Sequence, residues 1–136
     1  TGFSNNEPVQ LERSGTKAVV LHVDDSVPLP GPGLIAGTKT LDAKHDAIAG
    51  FVAATLRAMN EIKANPSVGL DAAIKAVPEL GSDRTGQAAV LAATIDSWGG
   101  PLQQTRGLGA IDTPGWQTSI AFMDKLKLLP ENSEPS

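Results

Sequence analysis

Residues 42–66, DAKHDAIAGFVAATLRAMNEIKANP, decide how the chain is read. Ile48, Phe51, Val52, Thr55, Met59 and Ile62 fall at offsets of 0, 3, 4, 7, 11 and 14, which is one face of a helix with its 3.6-residue turn. The spacing predicts a helix that begins at 42 or 44 and runs to about 64. At 1.5 Å rise per residue, about 20 residues make a rod ~30 Å long. Asn65-Pro66 stops it, because the residue before a proline avoids the helical region. Ile48, Phe51, Val52 and Met59, joined by Ile95 and Met123 from later helices, are the expected core. Phe51→Ala is then expected to cost ~3–5 kcal/mol.

Further helical patterns follow toward the C-terminus. Ser67 is a candidate cap for a helix over 67–77, whose apolar face is Leu70, Ala73, Ile74 and Val77, with Pro78 beyond it; serine caps by accepting from a free first-turn N–H. Asp83 is a candidate cap for a helix over 83–98 with Leu91, Thr94, Ile95 and Trp98 along one side, and Gly99-Gly100-Pro101 is a strong stop. Thr113-Pro114 opens a fourth helix, to about 128, because proline is tolerated in the first turn where its missing N–H has no partner to lose. Trp116, Ile120, Met123 and Leu126 keep helical spacing within it.

The first 37 residues read differently. Residues 17–23, Lys-Ala-Val-Val-Leu-His-Val, are short, β-branched and do not alternate, which fits a strand covered on both faces of an α/β sheet. Asp24-Asp25-Ser26 ends it. Pro28, Pro30 and Pro32 forbid a helix and favour an extended path. Residues 34–37 are a second short strand candidate. The fold class expected is therefore α/β, rich in helix, with one or two short strands.

Composition narrows the function. Eleven Lys and Arg against fifteen Asp and Glu leave a net charge of −4, without the basic stripe that a nucleic-acid binder needs to neutralise phosphates. No nucleic-acid partner is expected. The absence of cysteine excludes disulfides, thiolate zinc sites and a cysteine nucleophile. His22 and His45, the two histidines, have no metal-ligand spacing; His22 reads as a packed strand residue and His45 as a solvated one. Gly31-Pro32-Gly33 is no phosphate cradle, since proline removes the N–H donors and no Lys-Ser or Lys-Thr follows. No serine occupies a nucleophile elbow. Neither cofactor nor metal nor catalytic residue is expected, and Trp98 and Trp116 read as core.

One polar cluster stands apart. Asn5-Asn6-Glu7-Pro8 follows Gly2-Phe3. Asparagine and proline are turn formers, so a simple turn accounts for it. Two amides and a carboxylate also supply donors and acceptors for a small polar ligand. Both readings stay open on composition alone.

The order of these segments resembles the C-terminal half of ABC-importer solute-binding proteins of the nitrate/sulfonate/taurine/thiamine-pyrimidine group, which are type II periplasmic binding proteins. The stretches are GFSNNEPVQLERSG at 2–15, PGPGLIAGTKTL at 30–41 and AIAGFVAATLRAMNEIKANPSVGLDAAI at 47–74. Gly109, Ile111, Asp112 and Trp116 match a late G-x-I-D-x-x-x-W pattern, and Gly69 stands where the alanine of N-P-x-x-A would be. The resemblance implies a periplasmic binding protein type II-like fold, of which this is a helix-rich C-terminal fragment. Residues 1–27 would end the second lobe, 28–37 would be the return crossing or hinge, and 38–136 would be the helical C-terminal part of the first lobe. It implies capture of a small polar nitrogen- or sulfur-containing molecule in the cleft between the lobes, with Asn5, Asn6 and Glu7 as ligand-binding residues. The partners would be that small molecule and an ABC transporter permease. The full-length protein would be monomeric and exported, in the periplasm or as a cell-surface lipoprotein. The chain alone would bind weakly, because one side of a cleft offers few partners. The alternatives are a thiamine-pyrimidine synthase-like enzyme on the same fold and a helical interaction domain without ligand.

Overall fold

In the computed structural model the four expected helices are present with shifted ends, and two short ones, near the N-terminus and after Gly100, are added. The structure describes residues 1–27 and 29–130. Six α-helices occur among them: α1 (Glu7–Arg13), α2 (Thr38–Ala64), α3 (Pro66–Ala76), α4 (Arg84–Ser97), α5 (Pro101–Arg106) and α6 (Thr113–Lys125). Short 3₁₀ turns occupy Val23–Asp25 and Pro78–Asp83. Thr1–Val20 and Ala36–Ala110 form one unit; Leu21–Ile35 and the segment from Ile111 onward form a second.

Within the first unit, α2 leaves helical geometry at Lys44 (φ −136°, ψ 30°). The regular rod therefore starts close to the expected point, and an extra turn from Thr38 precedes it. Asn65 is extended (φ −147°, ψ 90°), as a residue before proline should be, and α3 begins at Pro66 itself. Ser67 does not cap α3. Its hydroxyl donates to Asn65 Oδ1 at 2.7 Å, and Asn65 holds the cap position. α3 packs on both α2 and α4, and it carries Leu70, the buried apolar side chain among the described residues, 7% exposed.

The core differs from the sequence expectation. Phe51 is 61% exposed and Val52 is exposed, while Ile48, Met59, Ile95 and Met123 are only half-buried. The cause is where α2 finds neighbours. Its C-terminal half packs on α3 through Ile62, and Leu56 meets the backbone at Gly109, but residues 38–54 are exposed apart from Ile48. An apolar stripe is buried only where another element lies over it, so Phe51→Ala carries little cost within this unit.

The strands are also absent. No strand occurs among the described residues, and Val19, Leu21 and Ile35 are 89%, 85% and 96% exposed. A strand exists only as part of a ladder, because its N–H and C=O groups must pair with a neighbour. Among the described residues none pairs with 17–22 in a ladder. His22, read as a packed residue, is correspondingly exposed, with Nδ1 3.8 Å from Asp24 Oδ1.

Close approach of α2 and α3 depends on Gly69. A Cβ there would lie 2.8 Å from Ile62 Cγ1 and 3.2 Å from Cγ2, both fixed close to the backbone of a β-branched residue that turns poorly about χ1. Gly69→Val is expected to lower stability by about 1–3 kcal/mol through overpacking, read by thermal unfolding. An unchanged midpoint would mean that the two helices separate freely.

α1 is fastened to α4 at both ends. Arg13 grips Asp83 with two parallel bonds, Nη1 to Oδ2 at 3.0 Å and Nη2 to Oδ1 at 3.1 Å. Asp83 Oδ1 also accepts from the Gly86 N–H at 3.0 Å, as the expected cap of α4. The Gly86 N–H first, and the Arg13 guanidinium second, hold the Asp83 carboxyl below its ordinary value of 3.8. A lowered carboxylate pKa contributes stability that is present above the unfolded value and lost as pH falls through the folded one. The α1–α4 attachment should therefore hold at neutral pH and loosen below about pH 4. Asp83→Asn should flatten that acid limb in circular dichroism followed against pH.

In the second unit, Asp112 Oδ1 accepts from Gly115 N at 3.1 Å and so caps α6, which starts at Thr113 as expected. α6 stops at Lys125, three residues short of expectation, and Lys127 turns left-handed at φ 55°. Leu29, Pro30, Asp112, Gly115, Trp116 and Ser119 line a cavity of about 280 Å³ in this unit. Trp116 is 45% exposed, so it is not the core residue that its spacing predicts.

Candidate functional site

The polar cluster near the N-terminus forms a built turn. Residues 4–6 turn into α1, with Glu7 its first residue and Pro8 its second. The turn closes on itself: the Asn6 N–H donates to Phe3 O at 3.1 Å, and the Phe3 N–H donates to Glu7 Oε2 at 2.6 Å. Glu7 thus accepts from a residue four positions earlier, an arrangement that ties its carboxylate back over the chain entry. Gly2 makes room for it, since a Cβ at that position would run into the Glu7 side chain. Gln10 N–H donates to Asn6 O at 3.0 Å and starts the helix.

Asn5 reaches across to α4. Its Nδ2 donates to Thr94 Oγ1 at 2.8 Å, and both residues are half-buried. Thr94 Oγ1 in turn donates to Val90 O at 2.8 Å. The turn is therefore held by Thr94 at one end, while α1 beyond it is held by the Arg13–Asp83 pair. Thr94 is legible as part of one side of its helix but not as the partner of Asn5, and Arg13 is not marked at all, because each meets a partner far away in sequence. Asp83 is legible as a cap, not as the partner of Arg13.

Three polar groups of the turn have no partner among the described residues: Asn5 Oδ1, the Asn6 side-chain amide and Glu7 Oε1. Asn5 and Asn6 are half-buried and Glu7 is exposed. The surface so formed offers two fixed acceptors and one adaptable amide, which suits hydrogen bonding to a small molecule and supplies no nucleophile or paired acid and base. Among the described residues, no group of three His, Cys, Asp or Glu side chains could hold a metal ion.

The family model described as NMT1/THI5 like matches residues 1–68 of 136. The chain belongs to that family. The matched region contains the Asn5-Asn6-Glu7 turn, the proline-rich segment and α2. The NMT1/THI5-like chain is also 32% identical over 130 residues to the riboflavin-binding protein RibY of Chloroflexus aurantiacus. That alignment takes in 94% of this chain but 37% of the relative, so the chain spans little more than a third of the curated protein it matches. No solved structure matches it. The chain is thus a helix-rich portion of an NMT1/THI5-like protein, a family that implies a periplasmic-binding-protein-like fold. No described helix is long and apolar enough to cross a membrane.

Proposed function

We propose that the chain is part of the solute-binding component of an ABC importer, capturing a small nitrogen-containing molecule in a cleft between two lobes and presenting it to a permease. The protein would work outside the cytoplasm, in the periplasm or on a lipid anchor at the cell surface. Its mechanism is capture rather than catalysis: the ligand binds the closed arrangement of the lobes more tightly than the open one, and so shifts the population toward closure. Residues 28–37 would be the crossing between the lobes, where three prolines stiffen an extended path. Residues 1–20 pack with residues 36–110 as one unit, so the turn would stand on the same side of the cleft as α4.

The observation that carries this reading is the turn at Asn5, Asn6 and Glu7. It is held by long-range and local hydrogen bonds, yet it leaves polar atoms without partners, as a preorganised ligand rim does. The likeness to a protein named for riboflavin binding supports a flat, nitrogen-rich heterocycle as ligand. Titrating the chain with riboflavin, followed by quenching of the flavin fluorescence, is the direct test. Saturable quenching is expected with a dissociation constant weaker than about 10 µM, since a few hydrogen bonds on one open side add only about 0.5–1.5 kcal/mol each. No quenching by the chain, alongside no response to an aminopyrimidine or to taurine, would remove the binding role from this portion of the protein.

A further inference from the structure

We infer that Thr94 sets the hydrogen-bonding polarity of the Asn5–Glu7 turn, and that the turn selects a neutral or cationic ligand rich in N–H and O–H donors while rejecting anions. This rests on the ligand-rim reading above and adds to it a residue on α4 and a ligand class.

The argument runs through one proton. A threonine hydroxyl has a single hydrogen to give. Thr94 gives it to Val90 O, one helical turn back, at 2.8 Å, a back-bond common for threonine within helices. Toward Asn5, Thr94 Oγ1 therefore acts as an acceptor. An asparagine amide has a donor end and an acceptor end, and only the donor end satisfies an acceptor. Asn5 turns Nδ2 to Thr94 at 2.8 Å, which leaves Oδ1 as the free end of the amide.

Glu7 repeats the pattern. Its Oε2 takes the Phe3 N–H at 2.6 Å, and Oε1 has no partner among the described residues. Pro8, at the second position of α1, removes one of the N–H donors that a helix start would otherwise present. The turn thus offers fixed acceptors from Asn5 and Glu7, one carrying negative charge, beside the Asn6 amide, which can present either its donor or its acceptor end. An oxyanion such as nitrate or a sulfonate brings only acceptors and a like charge. A ligand with an imide N–H and several hydroxyls brings what the acceptors lack, and hydrogen bonds to the charged carboxylate are about twice as strong as neutral ones.

Nuclear magnetic resonance on the chain tests each part separately. The Asn5 side-chain NH₂ should exchange slowly in the parent. In Thr94→Val, which keeps the shape and removes the hydroxyl, it should exchange about ten-fold faster or more, matching the loss of one net hydrogen bond. Thr94→Ser should restore it, and amides of α2 should stay unmoved, as they would not if the substitution merely loosened the unit. An Asn5 NH₂ that exchanges freely in the parent, or one indifferent to Thr94→Val, overturns the role of Thr94. Titrations with riboflavin and with sulfate as probes then test the ligand class. Riboflavin should shift the Asn6 and Glu7 resonances, and sulfate should not. Sulfate shifting them overturns the polarity. Neither probe shifting them, with Asn5 still protected, overturns the donor-rich ligand class and the ligand-rim reading together, and leaves Thr94 as a purely structural anchor.

Discussion

Leu70→Ala is expected to lower the unfolding free energy by about 2–3 kcal/mol, the lower half of the range for a buried leucine. Leu70 is 7% exposed on α3, the helix that packs against both α2 and α4. Truncation removes the one apolar side chain that the described residues bury fully enough to act as a shared anchor, and a unit with no other described apolar side chain buried is expected to relax around the loss, which holds the cost below the upper limit. Alanine is the better helix former, so the whole loss would be tertiary. Phe51→Ala is the contrast: a ring 61% exposed should cost less than about 1 kcal/mol, as surface changes do. Urea unfolding of the two variants decides the matter. If Phe51→Ala proved the more costly, the exposed face of α2 would be covered in solution and Leu70 would not be the centre of this unit.

Glu7→Gln should weaken riboflavin binding about ten-fold, with fold stability almost unchanged. Glutamine can still accept the Phe3 N–H through its own oxygen, so the turn survives. The group left facing outward then changes from an acceptor to a donor. A ligand N–H or O–H that met Glu7 Oε1 would meet a second donor, and an unsatisfied pair of that kind costs ~1–3 kcal/mol, of which 1.4 kcal/mol is a factor of ten. Gln10→Ala, three residues on and exposed, serves as the comparison and should leave affinity as it is. Equal affinities for Glu7→Gln and the parent would reduce Glu7 to a turn residue.

How much of this was legible in the sequence depends on the range of the interaction. Asn65-Pro66, Asp83 and Thr113-Pro114 act within three or four residues, and each marks a helix boundary that the structure places within about two residues of expectation. The short helix α1 was missed, because Asn5-Asn6-Glu7-Pro8 reads as a turn and the seven residues of the helix are too few to show a periodic apolar face. Burial was not legible. Phe51 has the spacing of a core residue, but spacing shows which residues share a face and not whether anything lies on it. The strand expectation failed for the same reason, because residues 17–22 need a partner that sequence-local chemistry does not provide. The candidate site was half legible: three adjacent polar residues announce themselves, whereas Thr94 lies 89 positions from Asn5 and Asp83 lies 70 from Arg13.

The unladdered run at 17–22 also governs how the chain behaves in company. Val19 and Leu21 stand almost wholly in solvent, in a stretch with high β-propensity and no proline, the composition from which fibrils nucleate. The run is bracketed by Lys17 on one side and by Asp24 and Asp25 on the other. Stacking like segments in register would bring lysine over lysine and aspartate over aspartate. These end charges act as gatekeepers, and they oppose the growth of a cross-β fibril from a segment whose middle would otherwise favour it.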